Sequence, residues 1–415
     1  MAVVLRINLD RLRAEMLELS DFGRRDDLPG IYRMAFTEAD MAARRWLIQR
    51  VEGLGGRARL DGAGNMIGRF FDRDGKPAVA VGSHTDTVNG GGIFDGALGV
   101  LAGLECLRVM TENNLTPEYP LELISFADEE GRFGGMFGSQ AFTGQLDEEW
   151  LDKAATVEGE RLADAMRAKG LDHTRALEAA RPADSLHAFL ELHIEQGPVL
   201  ESAGIPVGLV EGISGIFKWS VRFIGEPNHA GTTPMHLRRD AFVGLTSFAH
   251  QIPDILRLVG TEVSRLTIGK VDLQPGYAHT VPGAAEFTLV GRDMSLEVLE
   301  SLARVCGERL EESARRHKLE LSCQVLSWLP PQPCHPDIIG VLERAAENLE
   351  VPCLRMISGA GHDTQFLAQV TRAGLLFVPS VGGVSHSPDE RTRWEDVEAG
   401  ANTLLQALLE LSDAV

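Results

Sequence analysis

His84 and Asp86 in GSHTDT, Asp95 in GGGIFDG, the pair Glu129 and Glu130 in ADEEG, His193 in LHIEQG and His386 in GGVSHSP form the strongest chemical constellation in this chain. Two divalent ions sharing one bridging carboxylate require a mixed histidine and carboxylate set of about this size. Imidazole with carboxylate suits borderline metals such as Zn, Mn, Co or Ni. Glycines around Asp95 let the backbone approach closely, as a compact bridged site requires. Taken singly, these residues are ordinary: a lone histidine is more often structural than a ligand, and adjacent acids usually mark a solvated loop. The chain has only 12 His, however, and three of them fall at the ends of separate apolar strands or in a glycine-rich loop.

The elements that must carry these residues are legible around them. AVAVGSH after Pro77, LELISFADEE after Pro120 and AFLELHIEQG read as short buried strands whose C-terminal ends turn polar. Helical stretches such as 96 to 113 alternate with them, which predicts an α/β sheet with its site at the strand ends. Thr37 followed by Asp40, with Met41, Leu47, Ile48 and Val51 behind, predicts a capped helix over about 37 to 52. The middle of the chain changes style. WSVRFIG, EFTLVGRD and LELSCQVLS alternate in polarity and are separated by helical patterns near 239 to 252 and 295 to 317. This predicts an α+β insert with a half-solvated sheet, placed at 214 to 328 between the two parts of the first domain, 1 to 213 and 329 to 415. GLLFVPS and a helical stretch from about Glu395 to Leu411 return to the first style.

Composition limits what the chain can do. Its 415 residues suit two domains, and 44% hydrophobic with 24% charged residues is the balance of a globular protein. A formal charge of -20 repels nucleic acid and anionic membrane surfaces, so neither is expected as a partner. It would repel a small anionic substrate as well, so a carboxylate-binding site must be locally basic through Arg, His or metal ions. Five cysteines without a CxxC pair argue against a disulfide framework, and no run of 18 apolar residues or signal-like N-terminus occurs, so a cytoplasmic location is expected. Cys334-His335 and Cys323 lack a second pair at zinc-finger spacing.

VGSHTDTVNGGGIFDGALGVLAGLE, SFADEEGRFGGMFGSQAF, LHIEQGPVLE, NHAGTTPM followed by RRDA, SGAGHDT and FVPSVGGVSHSPDE together closely resemble the hydantoinase/carbamoylase amidase family of the dinuclear metallopeptidase superfamily. The resemblance runs from about residue 30 to the C-terminus. It implies a mixed-sheet dinuclear metallohydrolase domain carrying a lid and dimerisation insert, and a homodimer. By position it implies His84 and His193 on one divalent ion, Glu130 and His386 on the other, and Asp95 bridging both. Asp86 would orient His84, and Glu129 would be the general base. It implies further that His229 in EPNHAGTTPM stabilises an oxyanion, that Arg292 in TLVGRD clamps the substrate carboxylate, and that Gln196 in HIEQG bonds the substrate head. His362 and Asp363 in SGAGHDT would shape a loop near the site.

The activity implied is hydrolysis of the carbamoyl amide of an N-carbamoyl amino acid or a related small ureido carboxylate. Allantoate or ureidoglycolate hydrolysis, N-acyl amino acid hydrolysis and a metal-dependent binding protein without turnover are the alternatives. A base at Glu129 speaks against the last. Two departures bear on substrate: His279 stands where the family usually has Asn, and Val290 where an acid usually precedes the Arg292 position by two. Asn offers a donor and an acceptor in fixed geometry, whereas neutral His offers one of each at a different reach.

Overall fold

The computed structural model describes residues 4–414. The chain divides into two compact units, one formed by the segments up to Glu211 and from Pro333 onward, the other by Gly212–Gln332.

The larger unit is built on a mixed sheet. Its strands run in the order Arg57–Leu60, Met66–Phe70, Leu121–Phe126, Ala78–His84, Leu186–Ile194, Ala373–Val378 and Val207–Ile213, with Cys353–Ser358 paired to the last of these. Ala78–His84 lies parallel to both of its neighbours, and Leu186–Ile194 lies parallel to Ala373–Val378. Arg57–Leu60 with Met66–Phe70, Met66–Phe70 with Leu121–Phe126, and Val207–Ile213 with Ala373–Val378 pair antiparallel. Alternate residues of Ala78–His84 serve different cores. Val79 and Val81 pack with Leu98, Leu101, Leu404 and Leu408 from helices on one face, while Ala78 and Ala80 pack with Phe142, Phe189 and Leu367 on the other. Both faces are therefore covered, which is why the strand is apolar at nearly every position and buried throughout.

Ala97–Glu112 is buried from Ala97 through Met110, around its whole circumference and not on one stripe, and its two buried charges, Glu105 and Arg108, pair with each other. The capped helix occupies Glu38–Gly53, with Thr37 Oγ1 accepting from the Asp40 N–H. The Asp40 carboxylate accepts in return from the Phe36 N–H and pairs with Arg44, both side chains fully buried. A further helix, Leu9–Asp21, buries Leu12, Met16 and Leu19, and Trp394–Leu411 closes the same core.

The smaller unit is an antiparallel four-stranded sheet, in the order Glu320–Leu329, Gly215–Ile224, Ala284–Asp293 and Arg265–Gln274. Phe217, Val221, Phe223, Phe287 and Leu289 pack with Leu299, Leu302 and Leu310 of the helix Leu296–His317. The other face is largely open to solvent, which gives the alternating pattern its origin. The helix expected near 239 to 252 is Ala241–Ala249, and a second helix not expected from the sequence, Ile252–Val259, follows it. Pro253 explains the break: it has no N–H for an interior hydrogen bond but is tolerated in a first turn, so the chain restarts there. No helix among the described residues is long and apolar enough to cross a membrane.

Candidate active site

The first side chains of interest gather at the C-terminal ends of the parallel strands. His84 ends Ala78–His84, His193 is the penultimate residue of Leu186–Ile194, Glu129 and Glu130 follow Leu121–Phe126, and His386 stands in the loop after Ala373–Val378. Asp95, just before the helix Ala97–Glu112, lies among them. Its Oδ1 is 3.6 Å from His84 Nε2 and 3.2 Å from His193 Nε2. Its Oδ2 is 3.5 Å from His386 Nε2, which is in turn 3.3 Å from Glu130 Oε2. One carboxylate thus faces two donor sets, His84 with His193 and Glu130 with His386.

The imidazoles are held in the tautomer that leaves Nε2 a lone pair. His84 Nδ1 lies 3.1 Å from the Asp86 carbonyl and His193 Nδ1 lies 2.9 Å from the Ile194 carbonyl, so each Nδ1 carries the proton and donates. The Gly96 N–H donates to His193 Nε2 at 3.2 Å, in keeping with this assignment. Asp86 lies beside His84, but its carboxylate, 3.9 Å from His84 Nδ1, accepts from the N–H groups of Glu129 and Glu130 at 3.4 and 3.2 Å. The contact to His84 is made by its carbonyl, and the carboxylate positions the two glutamates.

Backbone conformation shows how tightly the cluster is drawn. Asp128, Gln196 and His386 all adopt positive φ, a left-handed conformation that side-chain-bearing residues keep only where their surroundings impose it. Gly96, at φ +61, could not be replaced without collision, because a Cβ there would lie 2.3 Å from the His84 ring.

Burial dominates the electrostatics. It pushes Glu129 well above the usual carboxylate range, reinforced by the charges of Glu130, Asp363 and Asp95 and opposed by His84. Glu130 is raised in the same way by burial and by Asp95. Burial would raise Asp95 too, but the His193 and His84 rings that face it hold it well below its ordinary value. Among the described residues, the only charged partners within ion-pair distance of Asp86, Asp95, Glu129 and Glu130 are histidines. His84 Nε2 and Glu130 Oε1 are buried without a hydrogen-bond partner. Orphaned donor atoms beside a surplus of buried carboxylates, in oxygen and imidazole chemistry, fit divalent cations.

Several residues at the site carry no signal that sequence reading used. Glu390 Oε1 accepts from the Phe94 and Asp95 N–H groups, and Ser385 Oγ donates to Asp95 Oδ2 at 3.0 Å. Nothing in SPDE distinguishes Glu390 from its neighbour Asp389. Arg33 and Arg44 are fully buried; Arg33 Nε donates to the Thr85 carbonyl at 2.6 Å, and Arg44 donates to the Gly64 carbonyl at 2.9 Å. His362, by contrast expected from the sequence to shape a loop near the site, packs edge-on against His193 with ring centroids 4.5 Å apart. Glu191, His193 and His362 also sit at metal-ligand spacing, but both Glu191 oxygens are taken by Ser83 and Thr364, so this set props His193.

Gln196 belongs to the cluster: its Nε2 donates to Asp95 Oδ2 at 2.8 Å and lies 3.4 Å from His386 Nε2. The remaining expected residues belong to the smaller unit. His229 is exposed, and its Nδ1 accepts from the Gly231 and Thr232 N–H groups at 3.1 and 3.2 Å. This puts the proton on Nε2, which makes it a hydrogen-bond donor. His279 adjoins it, since Thr280 pairs with His229 and the Ala230 N–H donates to the His279 carbonyl. Arg292 lies on Ala284–Asp293, half-buried and without a carboxylate partner among the described residues. Burial lowers its pKa, the mark of a guanidinium whose charge is not locally balanced.

This fold, with a carboxylate between two histidine-containing donor sets, belongs to a metal-dependent hydrolase family: the chain is a member of peptidase family M20/M25/M40, whose model matches residues 80–410. Within it, the chain belongs with the hydantoinase/carbamoylase amidases. It is 32% identical to such an amidase from Burkholderia multivorans, with a TM-score of 0.89 and 98% of each chain covered. It is 38% identical over 407 residues to an N-carbamoyl-L-amino acid amidohydrolase of Geobacillus stearothermophilus, covering 97% of this chain and 98% of the relative. To the allantoate amidohydrolase of Escherichia coli it is 33% identical over 401 residues, covering 95% and 96%.

Proposed function

We propose that this protein hydrolyses the carbamoyl amide of an N-carbamoyl amino acid or a related small ureido carboxylate, using two divalent ions. Asp95 carries the reading, because its two oxygens face two separate donor sets. His84 and His193 would hold one ion, Glu130 and His386 the other, with Zn, Mn, Co or Ni suited to both. Bound there, the ions would polarise the carbonyl and make water acidic enough to attack it near neutral pH.

The remaining work falls to the chain itself. Glu129, buried and 3.4 Å from His84 Nε2, would take a proton from the attacking water. The burial that raises its pKa lets it keep that proton until the leaving nitrogen accepts it. His229 Nε2–H would donate to the developing oxyanion. Arg292 would bind the substrate carboxylate as a planar, two-pronged donor, supplying the local positive charge that a chain of net charge -20 needs. Gln196 would bond the substrate head, although its amide already serves Asp95. For an N-carbamoyl amino acid the products are the amino acid, carbon dioxide and ammonia.

His279 favours a second reading, hydrolysis of allantoate or ureidoglycolate, because it changes the hydrogen-bonding group offered beside His229. The smaller unit is proposed as a lid and dimerisation domain; Val271, Val325 and Trp328 are apolar and exposed on its sheet. Metal content measured together with ammonia release on N-carbamoyl amino acids, allantoate, ureidoglycolate and N-acyl amino acids tests the reading. Full turnover in a metal-free preparation would overturn the mechanism, and activity on N-acyl substrates alone would overturn the carbamoyl assignment.

A further inference from the structure

We infer that the larger unit has a second ligand site, for a small organic anion with a flat apolar body, in a cavity of about 350 Å3 beside the helix Leu9–Asp21. Arg13, Arg24 and Arg391 all line it, a concentration of positive charge at odds with a net charge of -20. The charges of Arg13 and Arg391 are not spent on acids nearby. Arg13 lies over the Trp394 ring, 5.3 Å from its centroid, and has no carboxylate partner among the described residues. Arg391 has none either, and Arg24 meets only Asp21, at 3.5 Å and well exposed. Glu390 is the one acid in the lining, and its carboxylate already accepts from the Phe94 and Asp95 N–H groups.

A second observation points the same way. Thr392 lines the cavity with only 6% of its surface exposed, and its Oγ1 is buried without a hydrogen-bond partner. A hydroxyl left unmatched in this way costs stability unless something meets it. Trp394 and Phe94, with ring centroids 5.3 Å apart and planes tilted by 57°, supply an apolar aromatic corner. Guanidinium groups, a hydroxyl and an aromatic corner together recognise a carboxylate or phosphate on a planar body, and the volume suits a small molecule. Such a ligand would rest against Phe94, whose N–H, like that of Asp95, donates to Glu390 Oε1.

Benzoate, phenyl phosphate and inorganic phosphate are the probes, titrated calorimetrically into the full-length, metal-loaded protein. The site stands independently of the reaction proposed above, and the variants keep the two apart. Benzoate or phenyl phosphate should bind with a Kd of about 1 mM or tighter. Arg13→Gln with Arg391→Gln should weaken that binding at least tenfold, whereas Arg292→Gln should leave it unchanged. Thr392→Val should weaken it too without lowering the thermal midpoint, which a purely structural hydroxyl would not do. Absence of saturation at about 10 mM, unchanged affinity in the arginine variant, or loss on Arg292→Gln would each overturn the inference. Inorganic phosphate binding as tightly as phenyl phosphate would overturn the flat body.

Discussion

At the scale of single residues, burial decides which carboxylate does what. Asp95 is held ionised by two histidines, while Glu129 is pushed toward holding a proton by burial and its acidic neighbours. Glu129→Gln should therefore keep bound metal and substrate affinity while lowering the maximal rate roughly 100-fold or more. Metal analysis beside steady-state kinetics checks this, and loss of metal would make Glu129 a ligand. Gly96→Ala places a methyl where the His84 ring stands, on a backbone at φ +61, so it should lower metal occupancy even with every proposed ligand present. His279→Asn should shift the ranking of substrates by about tenfold, the worth of one good hydrogen bond. An unchanged ranking across the ammonia-release panel would place His279 outside the pocket.

At the scale of elements, the site depends on how loops are tied to strands. Arg33 reaches the Thr85 carbonyl, between His84 and Asp86, and Arg44 reaches the carbonyls of Gly64 and of Ser125 and Phe126 at the end of the strand that leads to Glu129. Arg44 also forms a fully buried pair with Asp40, whose carboxylate caps the segment at Phe36. Arg44→Met strands the Asp40 charge in the core and should cost about 3–5 kcal/mol of stability. Urea unfolding measures it. Adding Asp40→Leu to that variant should recover part of the loss, and a loss below about 1 kcal/mol would mean that solvent reaches the pair.

At the scale of the whole molecule, acidic side chains are brought together in the larger unit, and cations are what make that arrangement favourable. A chelator should abolish activity and lower the thermal midpoint, and Mn, Co, Ni or Zn should restore both, because a ligand bound only by the folded state stabilises it. Calorimetric scanning with and without chelator reads the effect. Symmetric pairing through the smaller unit would give about twice the chain mass of 45.1 kDa by light scattering. A monomer at working concentration would overturn the proposed pairing.

Much of this was legible from one-dimensional pattern. The buried strands around Val79, Leu123 and Leu190 showed as apolar runs because both faces of the sheet are covered, and the helix at Glu38–Gly53 showed through Thr37 and Asp40 because capping is a local interaction. Residues with rare chemistry at strand ends, His84, His193 and Glu129 among them, stood out for the same reason: their neighbours in sequence form the element that presents them. The change from buried to alternating strands marked the insert, since a sheet with one solvated face needs a different period. Tertiary structure alone decided the rest. Glu390 meets Asp95 across 295 residues, and Arg33 reaches Thr85 across 52, so no local pattern could single them out. The direction of the Asp86 carboxylate, toward the Glu129 and Glu130 amides, was decided in the same way. So was the proton position on His229, set by a turn's two N–H groups. Composition and period report what an element must bury, whereas a hydrogen bond between distant segments exists only once those burials have brought its two ends together.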